Sequence, residues 1–201
     1  TARDAVVLLG YRSVRNAALT SCLMQTARTA TNLNYDAFWQ FSIATGILAE
    51  VLARVEGANH EEAFTAGVLH RIGLLALDQA RPDQLQQALT AHEQTGTTAY
   101  EAEREVFGFT DADLGGALAL HWNFPESLAS AVREHASPLD ALPDRTSLTA
   151  CVLRARMFVR AYGLPDGVTP ASDPVDVPDE WERPPLSTAL KQSGGMAKVM
   201  A

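Results

Sequence analysis

Cysteine is almost missing from this chain. Cys22 and Cys151 are the only two in 201 residues, and each falls within an apolar helical pattern. Two such thiols read as small buried hydrophobes in a reducing compartment rather than as a disulfide framework or a metal knuckle. Basic charge is also short: 16 Lys and Arg against 24 Asp and Glu leave a net charge of −8. A phosphate backbone requires a basic face, so nucleic-acid binding is disfavoured as the main task. No unbroken apolar run approaches the ~18 residues of a membrane span, and no signal-peptide pattern opens the chain. The expectation is a cytoplasmic protein. Strand signals are missing too, with no Asn-Gly hairpin turn and no strict apolar–polar alternation.

What the chain has instead is helical periodicity, and the predicted fold class is all-α. Arg3–Leu9 reads as a short helix end stopped by Gly10, and a second helix covers about Ser13–Ala30. A longer one spans about Asp36–Glu56, with Ile43, Ile47, Leu48, Val51, Leu52 and Val55 at three- and four-residue steps and Gly57 closing it. Asn59 and Glu62 have the spacing of a capping box and open a helix through about His70, with a bend expected at Gly73 before Leu74–Ala80. Pro82 suits a first helical position for residues 82–94, Thr98 and Thr110 suit N-caps, and Pro125 starts a helix ending near His135. The last long helix covers about Ser147–Tyr162.

Composition changes after Gly163. Pro165, Pro170, Pro174, Pro178, Pro184 and Pro185 break any long helix, so residues 1–163 read as the helical body and 164–201 as an extended, Pro-rich tail. A short final helix fits Leu186–Gln192, broken by Gly194-Gly195. Val168, Val175, Val177, Trp181 and Leu186 give the tail more apolar groups than a disordered linker carries, so it is expected to wrap back on the body with Trp181 as anchor.

One ordered set of residues carries a resemblance. It comprises Phe38-Trp39-Gln40-Phe41-Ser42, then Phe64 to Leu75 with His70-Arg71 at its centre, then His121-Trp122-Asn123-Phe124-Pro125, then Arg133-Glu134-His135. In this order and at these distances the set resembles the HDOD family, the HD-related output domains, over about Ala2 to Val168. The family usually has further helices ahead of the segment that begins here, and the chain starts at Thr1 without Met, as expected of a fragment. The resemblance implies a compact HD-like helical bundle derived from metal-dependent phosphohydrolases. An active HD enzyme brings together a His, an adjacent His-Asp pair and a later Asp, which hold divalent cations that activate water. At the matching positions this chain has Phe41, His70-Arg71 and Arg156, so only His70 of the four remains.

Arginine keeps its charge at any ordinary pH. A guanidinium about 4 Å from a divalent ion at an effective dielectric of about 20 repels it by roughly 8 kcal/mol. The resemblance therefore implies a regulatory module with no metal, no cofactor and no hydrolytic activity, working in bacterial signal transduction through contact with other signalling proteins or domains. The alternative is a nucleotide- or anion-binding sensor, in which Arg71 and Arg156 clamp an anion in a residual pocket lined by His70 and His135. Otherwise the two arginines pair with Glu134, Asp111 or other acids and fill the old metal site. Metal-dependent hydrolysis ranks last. Phe38, Trp39, Phe64 and Trp122 read as core anchors, His60 and His92 as surface residues, His121 as packed or hydrogen-bonded, and His135 as a residue at a helix end.

Overall fold

The computed structural model describes residues 32–168 and 179–195. The expected helices at Arg3–Leu9 and Ser13–Ala30, together with Cys22, Val175 and Val177, lie outside the described residues. Within them the chain is helical, without strands. Helix α1 (Tyr35–Glu56) is followed by α2 (His60–Leu69), α3 (Ile72–Ala80), α4 (Pro82–Thr95), α5 (Ala99–Phe107), α6 (Asp111–His121), α7 (Glu126–Arg133), α8 (Leu148–Ala161) and α9 (Leu186–Gln192).

Short polar side chains start these helices where the sequence puts them. Asn34 caps α1 through Ala37 N, and Ser147 caps α8 through Ala150 N. Thr98 and Thr110 each form a full capping box, with Glu101 and Asp113. At Asn59 only half the expected box forms. Asn59 accepts from Glu62 N, while the Glu62 carboxylate accepts from the Ser127 hydroxyl at 2.8 Å and so ties α2 to α7. Pro125 is the residue before α7 rather than its first.

Helix α1 is the centre of the bundle, packed against α2, α8 and α9. Its length and apolar composition alone would let it cross a membrane, yet most of its surface is covered by neighbouring helices. The buried strip runs through Phe38, Phe41, Ala44, Leu48, Ala49 and Leu52, and the predicted Ile43 and Ile47 stand at its edge. Helix α2 approaches α1 until the backbones touch: a Cβ added to Gly67 would lie 2.6 Å from Gly46 Cα. Gly67, Val68 and the Phe64 carbonyl lie against α1 there, while the Phe64 side chain shares a more exposed stripe with Glu61. Phe64 is therefore 37% exposed rather than a core anchor. His121, expected to be packed or hydrogen-bonded, is likewise exposed at the end of α6.

The predicted bend at Gly73 is also displaced. The helical run breaks at His70-Arg71, where Arg71 takes φ −109° and ψ 26°, and Gly73 lies inside α3. Gly73 serves a close crossing instead, since a Cβ there would stand 1.9 Å from the Asp111 carbonyl oxygen. This contact brings the start of α3 against the start of α6.

Residues 180–190 pack on the preceding helices. Trp181 is 3% exposed and stacks on Phe158 of α8 with ring centroids 4.3 Å apart. Beside it, Arg154 forms a two-pronged pair with Glu180, at 3.2 and 2.9 Å, and reaches Glu56 at the end of α1 at 2.7 Å. Leu186 and Leu190 join the same core. Trp181→Ala should lower unfolding stability by about 3 kcal/mol or more, as for other buried Trp truncations. Exposed Glu182→Ala beside it should change stability by no more than about 0.5 kcal/mol. Urea titration of both variants checks this; equal midpoints would show that the indole contributes no core packing.

Candidate functional site

The break between α2 and α3 turns two adjacent side chains into different environments. His70, at the end of α2, is fully buried, and its Nδ1–H donates to the Gly67 carbonyl at 2.6 Å. The carbonyl can only accept, so the ring is the Nδ1–H tautomer and Nε2 presents a lone pair. Among the described residues that Nε2 has no hydrogen-bond partner. His135, just beyond α7, repeats the arrangement: it is fully buried and its Nδ1–H donates to the Val132 carbonyl at 2.7 Å. The two rings meet edge-on at 5.2 Å, and Phe41 flanks His70 at 5.9 Å.

Tyr100 of α5 and Arg156 of α8 complete this side. The Tyr100 hydroxyl donates to His135 Nε2 at 3.3 Å and accepts from Arg156 Nη2 at 3.2 Å, while Arg156 Nη1 donates to the His135 carbonyl at 3.3 Å. Neither Tyr100 nor Arg156 is wholly covered, so they form the outer edge of a cluster whose inner members are the two imidazoles. Among the described residues no carboxylate lies within ion-pair distance of Arg156; its partners are a phenol and a carbonyl.

Arg71 behaves differently. It is 4% exposed, with Nη1 at 2.9 Å from Asp166 and Nε at 3.5 Å from Asp111. Asp111 is the first residue of α6, and its backbone N–H donates to Glu103 at 2.6 Å. Asp166 belongs to the segment after α8, where Gly167 O accepts from Asn34 N at 2.9 Å. Arg71 thus ties the α2–α3 junction to α6 and to the strap that crosses the start of α1. Of the acids anticipated for the two arginines Asp111 is engaged, by Arg71, while Glu134 pairs with neither.

Burial governs the protonation of the cluster. It pushes the His70 and His135 imidazoles well below their ordinary range; His135 and Arg156 add to this for His70, and Arg156 does so for His135. His135 therefore meets its helix end as a neutral donor and not as a cation. Burial and the neighbouring Asp111 raise the Glu103 carboxyl to about 8, and burial raises Asp111 against the pull of Arg71. Burial also opposes the charge on Arg71, but Asp111 and Asp166 together outweigh it. Arg156, without such partners, is lowered by burial.

Tyr100, Glu103 and Asp166 escaped the sequence reading. The acids could have been sought by asking what neutralises an arginine in the middle of an apolar stretch. Tyr100 stands two residues after a predicted N-cap and gave no signal of its own.

A family profile for the HDOD domain matches residues 1–138. The chain belongs to the HDOD family. A crystal structure of an HDOD domain protein of unknown function from Geobacter sulfurreducens is 26% identical, with a TM-score of 0.68 over 95% of this chain and 64% of that one. A provisionally named phosphohydrolase from Shewanella amazonensis SB2B shares the fold at 23% identity and TM-score 0.69, covering 98% of this chain and 70% of that one. So does a provisionally named signal transduction protein from Marinobacter aquaeolei VT8, at 20% identity and TM-score 0.67, covering 93% and 44%. An uncharacterized protein of Treponema pallidum (strain Nichols) is 26% identical over 169 residues, which are 83% of this chain and 32% of that protein. The HDOD chain described here therefore spans about a third of that curated relative and under two thirds of the Geobacter structure.

The sign of the histidine shifts sets a pH test. Because the fold holds both imidazoles below their unfolded value, protons bind the unfolded chain first as pH falls below about 6.5, and stability falls with them. At about pH 5.5 both rings should remain neutral Nδ1–H tautomers in histidine ¹H–¹⁵N spectra of the folded protein. An imidazolium signal from either ring at that pH would contradict the burial argument.

Proposed function

We propose that this HDOD chain is a non-catalytic regulatory module of signal transduction that acts by contacting other signalling proteins or domains, and that it works in the cytoplasm. One observation carries the non-catalytic reading. Arg71, which stands where the resemblance expects the Asp of a His-Asp pair, is closed into ion pairs with Asp111 and Asp166. The donor set around His70 does not fit a divalent cation. The nearby carboxylates are engaged by Arg71, and both Arg156 and Arg71 disfavour positive charge on His70 itself. Among the described residues no group of three or more His, Cys, Asp or Glu has the arrangement of a metal site.

The regulatory reading is supported by family membership and by the signal transduction protein among the structural neighbours. We divide the chain into a helical body, residues 1–163, and a tail, 164–201. Trp181, Glu180 and the Arg71–Asp166 pair hold described parts of that tail on the body, so it forms part of the surface that a partner meets. A net charge of −8 suits protein partners better than nucleic acid.

A second reading, binding of a nucleotide or small anion in the former active-site pocket, is favoured by Arg156, a largely buried guanidinium with no carboxylate beside it among the described residues. Arg71 is already neutralised, so the two-cation clamp reduces to Arg156.

Purified protein supplied with Mn²⁺ should hydrolyse neither a cyclic dinucleotide nor a model phosphodiester, and elemental analysis should find well under one transition metal per chain. Turnover that is abolished both by a chelator and by His70→Ala would overturn the non-catalytic reading.

A further inference from the structure

The same cluster contains a mismatch that a simple anion clamp does not explain. Arg156 offers N–H donors and positive charge, whereas His70 Nε2 is a fully buried acceptor without a donor among the described residues. Asp111 Oδ1, the oxygen that Arg71 does not engage, is a second buried acceptor without a hydrogen-bond partner among the described residues. Leaving such an atom unpaired is costly, and a group that satisfies it regains that cost. A fully ionised oxyanion would satisfy Arg156 and repel the acceptors. A cation would satisfy the acceptors and be repelled by Arg156. One common group does both.

We infer that the cluster of His70, His135, Tyr100 and Arg156 takes a phosphate group that keeps a proton. In this arrangement an ionised P–O⁻ accepts from Arg156 and a P–OH donates to His70 Nε2. The inference deepens the anion-binding reading and rests on it. Three features fit the ligand. Nδ1–H of His70 is fixed by Gly67, so the acceptor character of Nε2 does not depend on the ligand. The partly exposed members, Tyr100 and Arg156, lie on the side by which the ligand enters. The Tyr100 hydroxyl, already bridging Arg156 and His135, can turn between ring and ligand because it both donates and accepts. The chemistry is shared by inorganic phosphate and by the terminal group of a phosphomonoester. Sulfate has the same shape and no proton to give.

The test is isothermal titration of the full chain at about pH 6, where inorganic phosphate keeps at least one hydroxyl and about half of a phosphomonoester keeps one, with sulfate at equal ionic strength as the control. Inorganic phosphate should bind one per chain, and sulfate at least about tenfold more weakly, the loss of one charge-supported hydrogen bond. Adenosine monophosphate in a parallel run separates the sources: tighter binding than inorganic phosphate assigns the ester, equal or weaker binding the free ion. Arg156→Gln should weaken phosphate binding roughly 10- to 100-fold. If that variant fails to fold, the wild-type His70 Nε2 resonance is read instead, and it must move on adding phosphate. Equal binding of sulfate and phosphate, both lost in Arg156→Gln, would overturn the proton-selective site and leave the anion reading standing. Binding of neither would overturn both, and phosphate binding that leaves His70 Nε2 unmoved would place the ion elsewhere and overturn the proposal.

Discussion

A guanidinium that keeps its charge and is almost wholly enclosed must be neutralised where it stands, and Arg71 is neutralised from two directions. Asp111 comes from the first turn of α6 and Asp166 from the strap beyond α8, 40 and 95 residues away in sequence. Much of the local architecture follows from satisfying that one charge. The helical run breaks at His70-Arg71 so that one side chain enters the histidine cluster and the next reaches the acids. Gly73 lets α3 lie on α6 closely enough for Asp111 to arrive. Gly167, at φ 88° and against Phe38, lets the strap cross α1 closely enough for Asp166 to arrive. Removing one partner from such a buried set is costly because it strands the other charge.

The fold was legible in the sequence because helical periodicity, caps and breaks are local signals. Thr98, Thr110 and Ser147 cap the helices that follow them. What could not be read locally was where helices touch. Aromatic character suggests a core position for Phe64, yet the closest contact with α1 is made at Gly67, whose lack of a side chain is the condition for close approach. Glycine often marks a bend, whereas the role of Gly73 is steric.

The site was legible in part, for the same reason. The resemblance pointed to His70, Arg71, His135, Arg156 and Phe41, and rings from His70, His135 and Phe41 do converge. It gave no account of how the two arginines differ. Arg71 is enclosed by acids and serves to hold elements together, while Arg156 is left with a phenol and a carbonyl. That distinction depends on Asp166 and Tyr100, which reach the cluster only after the chain has folded. The asymmetry separates a structural half of the cluster from a half with unspent donor capacity. The tail belongs to the structural half, since Asp166 opens it and Trp181 and Glu180 fasten it to α8.

The central claim is that Arg71 has become a tie between body and strap. A double-mutant cycle on Arg71→Met and Asp166→Asn, read by chemical unfolding, tests it most directly. Both side chains are over nine-tenths enclosed, so solvent screening is small. The account predicts a coupling energy of about 1–3 kcal/mol between the two positions. Additive effects, with a coupling below about 0.5 kcal/mol, would contradict it.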